Sequence, residues 1–384
     1  MIKSGKSDLG YIYVRPTKII PKGDLPWLSL ANSISAVNTF MSVWMSIRSI
    51  KKHWSVCILT QQFEHKTFSQ PPDPSVLTNY LERNFPGATY HAVYEAGYSG
   101  FWIHDQLRGK GIDCIVVNPA DIPTTDKERS GKNDKVDCRK LARCLRNGEL
   151  KGIYVPTRIK IEDRSLLRTR RNMVKKHRCK NQIKSLLAFY GIHILPDIVH
   201  RNWSSKFIRW IEEIRMERAS GNFVLKVHLH ELEHLRGTIT ALNRNIRMLS
   251  RTDEYKTNVR LLRIVPGIST FTAMTFLTEL CNIDQFQSLD KLASYVGLIP
   301  NTDSSGEKDT TTGITNRRNE FLRHLIIESS WIAVRKDPAL LMAFERLSKN
   351  MPKTRAIIHI TRKLLNRIRY VLKNQKEYVP AVIS

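Results

Sequence analysis

The chain has 384 residues, 41% of them hydrophobic and 25% charged, the balance of a globular protein with room for two or three domains. Sixty-two Lys and Arg oppose thirty-five Asp and Glu, and the net charge of +27 calls for a polyanionic partner. Basic residues recur along the whole chain rather than in one amphipathic stretch, which favours nucleic acid over an anionic membrane surface. The six cysteines form no Cys-x-x-Cys pair and no zinc-type Cys/His spacing, so they read as small buried hydrophobes of a reducing cytosol. No signal peptide is expected. The uncharged stretch Leu25 to Ile47 has the length of a membrane span but contains Pro26, Asn32, Asn38 and several serines, so no membrane crossing is expected.

Residues 1–41 show no period and read as an atypical N-terminal extension. Trp54 to Thr60 and Phe63 to Phe68 alternate like the two strands of a hairpin. Pro71-Pro72-Asp73-Pro74 punctuates, and a helix follows through Leu77, Tyr80 and Leu81. Ala88 to Glu95 reads as a strand ending in a carboxylate, Gly97 to Gly109 as a helix, and Ile112 to Val117 as a short apolar strand of the buried parallel type. The order indicates a mixed α/β layer fold over 42–157.

From Asp163 to Gly191 the pattern is helical and strongly basic. Arg164, Arg168, Arg170, Arg171, Lys175, Lys176, Arg178, Lys180 and Lys184 crowd one element with almost no acid between them, an arrangement that repels itself unless an anion is near. A solvated helix face is the alternative. A second helical stretch runs from about Phe223 to Leu249. Together they suggest an extended hairpin or coiled-coil arm over 158–258. A helical region over 259–375 follows, with a tail at 376–384. In it Val265-Pro266-Gly267-Ile268-Ser269 resembles a helix-hairpin-helix turn, whose amides can meet a phosphate, or else is a plain connector. The helix from Thr354 to Lys373 buries one face and carries Arg362, Lys363 and Arg367 on the other.

Two sets of residues carry chemistry. Asp134 and Asp137 sit three apart at a helix start, so both can point one way, and Glu95 ends a strand. Three carboxylates are the hard oxygen donors that magnesium takes, although two acids in a first turn also favour the helix dipole. Further on, Ser304-Ser305-Gly306 and Gly313-Ile314-Thr315 place hydroxyls in a glycine loop just before a helix with Arg323; Arg317 and Arg318 lie between. Such a hydroxyl can attack phosphorus if cations hold the phosphate. A polar turn is the alternative.

The order of motifs resembles the transposases of the insertion sequence 110 family, a group that takes in the Piv-like DNA invertases. It is carried by Tyr94-Glu95-Ala96-Gly97, Val117-Asn118-Pro119, Asn133-Asp134-Lys135-Val136-Asp137, Val265-Pro266-Gly267-Ile268, Ala293 to Pro300, Ser304-Ser305-Gly306 and Gly313-Ile314-Thr315, and it covers about residues 54–373. The resemblance implies a ribonuclease H-like domain of the Holliday-junction-resolvase type with an Asp-Glu-Asp-Asp magnesium site. It implies next a coiled-coil arm and a mainly α-helical transposase domain with a nucleophilic serine. By the resemblance, Glu95, Asp134 and Asp137 bind Mg2+, and Ser304, or alternatively Ser305, is the nucleophile. The partners it implies are DNA, a structured guide RNA and further copies of the chain, in a prokaryotic cytoplasm near the nucleoid.

The sequence departs from the pattern at two places. Counting back from Trp54, Arg48 stands where the first family aspartate belongs, and a cation there competes with magnesium. The glycine of a Gly-Asn pair is also missing, since Arg318 precedes Asn319. Three functional expectations follow: a DNA recombinase impaired at position 48, a resolvase-like nuclease using only the carboxylates, or a binding-only remnant using only the basic helices.

Overall fold

A computed structural model describes residues 42–49, 53–124, 133–176, 178–194, 203–305 and 308–380. The expected N-terminal extension and most of the Leu25 to Ile47 stretch lie outside the described residues. These residues form two compact units that divide between Ile153 and Tyr154.

The first unit is a five-stranded mixed sheet with helices. Its strands are β1 (Ser42–Ser49), β2 (Trp54–Leu59), β3 (Glu64–Gln70), β4 (Thr89–Glu95) and β5 (Asp113–Val117), in the order β3-β2-β1-β4-β5. β1 pairs antiparallel with β2 and parallel with β4; β2 and β3 are antiparallel, and β4 and β5 are parallel. The end of the uncharged stretch is therefore the central strand. Val43, Met45, Ser46 and Ile47 are all fully buried, so β1 lacks the alternation that marks a half-exposed strand.

Helix α1 (Pro74–Asn84) starts where the punctuation put it: Asp73 accepts from the Ser75 amide and Pro74 occupies the first turn. Helix α2 (Trp102–Gly109) begins later than Gly97, after a turn through Gly100. There the Tyr94 hydroxyl donates to the Gly100 carbonyl (3.0 Å) and accepts from the His104 amide (3.3 Å). Helix α3 (Asp134–Arg146) is capped by Asn133 and buries Cys138, Leu141 and Ala142 against the sheet, beside Cys57, Leu59, Val93 and Val117.

The second unit is mainly helical. Helices α4 (Arg158–Lys176), α5 (Cys179–Phe189), α6 (Ser205–Glu213) and α7 (Ala219–Leu249) come first. The long basic helix of the sequence reading is thus two helices, and α6 is an element it did not contain. At 31 residues, α7 is roughly 46 Å long. Its N-terminal part packs Leu225, Leu232 and Leu235 on Ile183, Leu187, Phe207 and Ile211 of α5 and α6. Its C-terminal Ile246 joins a larger core with Leu167 of α4.

That core is completed by α8 (Lys256–Ile264), α9 (Thr270–Leu280), α10 (Leu289–Val296), α11 (Glu320–Lys336), α12 (Pro338–Asn350) and α13 (Lys353–Asn374). Between α10 and α11 lies a hairpin of β6 (Pro300–Ser305) and β7 (Lys308–Ile314). α9 is its central rod: every residue from Thr272 to Leu280 is buried. The Pro266-Gly267 turn is a connector packed on α11. Gly267 has φ +83°, and a Cβ there would lie 2.2 Å from the Ser329 carbonyl oxygen. Tyr378, in the expected tail, is buried in this core. No described helix is long and apolar enough to cross a membrane.

Candidate functional site

The sheet register assembles one end of the first unit. Ile47 of β1 lies opposite Tyr94 of β4, so the next residues along these parallel strands are Arg48 and Glu95. Glu95 in turn lies opposite Val117, the last residue of β5. Carboxyl ends of adjacent parallel strands form the crevice where α/β sheets bind ligands. The first turn of α3 is pinned to the same stretch of β1. Ser46 Oγ donates to the Cys138 carbonyl (2.5 Å) and meets Cys138 Sγ at 2.9 Å, and that thiol lies within donating reach of the Ser46 and Ser55 carbonyls (3.4 and 3.1 Å). Asp137, the neighbour of Cys138, and Asp134 thus sit beside the strand that carries position 48, two residues beyond Ser46.

Glu95, Asp134 and Asp137 are the residues at this end that would hold a metal ion. They have the right chemistry, but no three His, Cys, Asp or Glu side chains among the described residues are gathered so as to hold an ion. The position implied to complete the set is Arg48.

The serines are placed differently from the glycine loop expected of them. Both are on β6, with Ser304 opposite Asp309 and Ser305 opposite Lys308. The cause is legible in β7, where Thr310-Thr311-Thr312 is a β-branched run that favours strand pairing.

The basic residues divide into two groups. Several are held by internal partners. Arg168 makes two hydrogen bonds to Glu279 (2.7 and 2.8 Å), and Arg164 donates to the Thr278 and Glu279 carbonyls (2.9 and 3.4 Å). The Glu279 side chain is 0% exposed and also accepts from Asn319 Nδ2 at 2.9 Å. Burial pushes its carboxyl up, but the bonds and charge of Arg168, with Asn319 and Arg164, outweigh that and hold it below the usual range. Arg362 donates to Asp290 and the Leu298 carbonyl, and Arg367 to Asp337 and Tyr378. The self-repulsion expected of the α4 charge run is thus relieved in part from within, by acids more than a hundred residues downstream.

A second group meets in one groove. Arg170, Arg171 and Lys175 of α4 line a cavity of about 510 Å3 together with Arg318, Arg323 and His324 at the start of α11. Glu320, bonded to Arg171 at 2.8 Å, is the one acid in that lining. Arg170 stacks over Phe271 (4.2 Å) and Arg171 over Phe321 (4.7 Å). Burial lowers the Arg170 pKa; burial and then Arg318 lower that of Arg323. These cations bear on a space where an anion would be favoured. Lys175, Lys176, Arg178, Arg317 and Lys363 are exposed, and Lys180 lies over the Trp203 ring at 5.5 Å.

Residues 49–192 match the family model of IS110-type DEDD transposases, and residues 259–345 match the model of the IS116/IS110/IS902 transposase family. The chain belongs to the IS116/IS110/IS902 transposase family. It is 31% identical to protein y4qE of Sinorhizobium fredii over 239 residues, 62% of this chain and 57% of that protein. Identity is 25% to the transposase for insertion sequence element IS1111A of Coxiella burnetii, covering 62% of this chain and 64% of the relative. The pilin gene-inverting protein of Moraxella bovis is 27% identical over 44% of this chain and 53% of its own length. The matched part thus spans less than two thirds of each of these relatives.

Sequence reasoning missed the hub of Glu279, Asn319 and Tyr295. Tyr295 Oη donates to the Glu279 carbonyl (3.1 Å), and Asn319 Oδ1 caps α11 at Leu322. The signal was present: Glu279 is the lone charge in a helix of apolar residues and threonines, and a charge buried there has to be paired.

Proposed function

We propose that this transposase-family chain binds DNA, with a structured RNA as a second partner, and that strand cleavage is impaired at position 48. The observation that supports the proposal is the register of β1 on β4, in which Ile47 lies opposite Tyr94, so that position 48 follows at the end of the sheet where β4 ends in Glu95. A guanidinium in that place repels a divalent cation and attracts the carboxylates that would bind one. The cationic groove between α4 and α11 supports the nucleic-acid reading, since phosphates would satisfy charges that internal acids do not.

The test is Arg48→Asp. Magnesium titration by calorimetry is expected to register binding in the variant and little in the parent chain. Equal binding in both sinks the assignment of Arg48 as the missing ligand position.

A serine step remains part of the proposal. In it, the hydroxyl oxygen forms a bond to phosphorus, the bond from phosphorus to the departing sugar oxygen breaks, and that oxygen takes the proton. In the Arg48→Asp background, a covalent protein–DNA adduct lost on Ser304→Ala and kept on Ser305→Ala identifies the first as nucleophile. We place that serine opposite the carboxylates of another copy of the chain, which makes cleavage depend on oligomerisation. A binding-only protein is favoured instead if Arg48→Asp gains neither magnesium nor an adduct while DNA binding persists.

A further inference from the structure

We infer that a second cationic groove, formed by the end of α7, the α8 helix and the start of α9, is a docking site for the sugar-phosphate backbone of a nucleic-acid duplex. The inference rests on the proposed nucleic-acid binding but uses none of the same residues. Arg247 and Arg251 stand four apart across the end of α7, and Lys256, Arg260 and Arg263 repeat at four and three along one face of α8. All five line one cavity of about 720 Å3, with Thr270 of the first turn of α9, and no acid lines it among the described residues.

Arg247 and Arg263 lie in last helical turns, where a cation is already favoured by the helix dipole. That explains neither Arg251, which lies beyond α7, nor the convergence of five cations on one concavity. Lys256 and Arg260 have exposed partners in Asp253 and Glu377, both at 2.5 Å, and such pairs are weak and readily exchanged for phosphate. The guanidinium groups of Arg247, Arg251 and Arg263 have no hydrogen bond or ion pair to any described residue. Five cations over this span suit several successive phosphates rather than one small anion. Among the described residues no aromatic side chain lines the groove to stack an unpaired base, so the ligand it fits is a duplex held by its backbone.

The test uses the full chain and a fluorescent mixed-sequence DNA duplex of about 30 base pairs, three helical turns. Anisotropy is followed across a salt series. Replacing Arg247, Arg251 and Arg263 together by Gln is expected to weaken binding roughly tenfold or more. It should also flatten the slope of log affinity against log salt by about 3, close to one per lost phosphate contact. A charge-matched control, Lys110→Gln with Lys151→Gln and Arg335→Gln, should hold both readings near the parent values. Replacing the three groove arginines by Lys should restore binding and shows that the Gln variant is not merely misfolded. If the Gln variant binds as the control does, or if both lose equally, the groove is not a docking site. If the groove variant loses binding to a single-stranded oligothymidylate but keeps the duplex, the ligand class is wrong. A parent chain that binds no nucleic acid overturns the proposed function itself.

Discussion

Replacing Arg168 by Ala tests whether the buried carboxylate of Glu279 ties α4 to the C-terminal core. Glu279 is fully buried and takes two short bonds from Arg168; after the substitution it keeps Asn319 at 2.9 Å and the Arg164 guanidinium at 4.0 Å. Removing one member of a buried pair costs about 3–5 kcal/mol. Arg168 is itself 55% exposed and Arg164 stays near, so about 2–3 kcal/mol is expected here. For a unit of this size that lowers Tm by roughly 5–10 °C at pH 7. The effect has a pH signature. The folded-state pKa of Glu279 lies below its ordinary value, so its contribution is present above the unfolded pKa and is lost as pH falls through the folded one. Without Arg168, burial acts with less opposition and the carboxyl protonates earlier. The deficit of the variant should therefore be full at neutral pH and shrink towards pH about 4. Melting followed by circular dichroism at several pH values measures it, with Arg158→Ala as a reference, because its pair with Glu162 is exposed and expected to matter by less than about 1 kcal/mol. If Arg168→Ala costs no more than Arg158→Ala, or if its deficit grows on acidification, the reasoning fails.

Gly267→Ala should destabilise the second unit by about 2 kcal/mol or more, since the residue has φ +83° and its new methyl would strike the Ser329 carbonyl; urea titration followed by helix signal measures this, and a loss below about 0.5 kcal/mol refutes the close packing. Tyr378→Phe removes a donor to Asp337, which is buried and held below the usual carboxylate range against its burial by Tyr378, the Leu340 amide and Arg367. A loss of about 1–2 kcal/mol at neutral pH, smaller in acid, is expected in thermal melts. The Cys114 thiol, pushed up to about 12 by burial and then by Asp113, should resist alkylation by iodoacetamide at pH 8 in the folded chain and react only in denaturant, as peptide mass spectrometry would record.

The sequence by itself determined the local architecture wherever one face of an element meets water. Strand β3, α1 with its Asp73-Pro74 start, and the amphipathic α13 follow from alternation, capping chemistry and helical period, which act within a few residues. The motif order also marked the family. Tertiary structure decided what has no local signature. β1 is buried on both faces and so shows no period, yet it is the strand that every part of the carboxylate end is arranged around. Ser304 and Ser305 are strand residues because a threonine-rich partner pairs with them, not because of their own loop-like composition. The basic run of α4 reads as uncompensated charge along the chain. Only folding brings Glu279 and Glu320 to Arg168 and Arg171, and leaves Arg170 and Lys175 beside Arg318 and Arg323 in a groove that lacks enough acid. Propensity and period extend over neighbouring residues, whereas charge pairing depends on distance in space, and that distance is set by the packing of α4 on the C-terminal core.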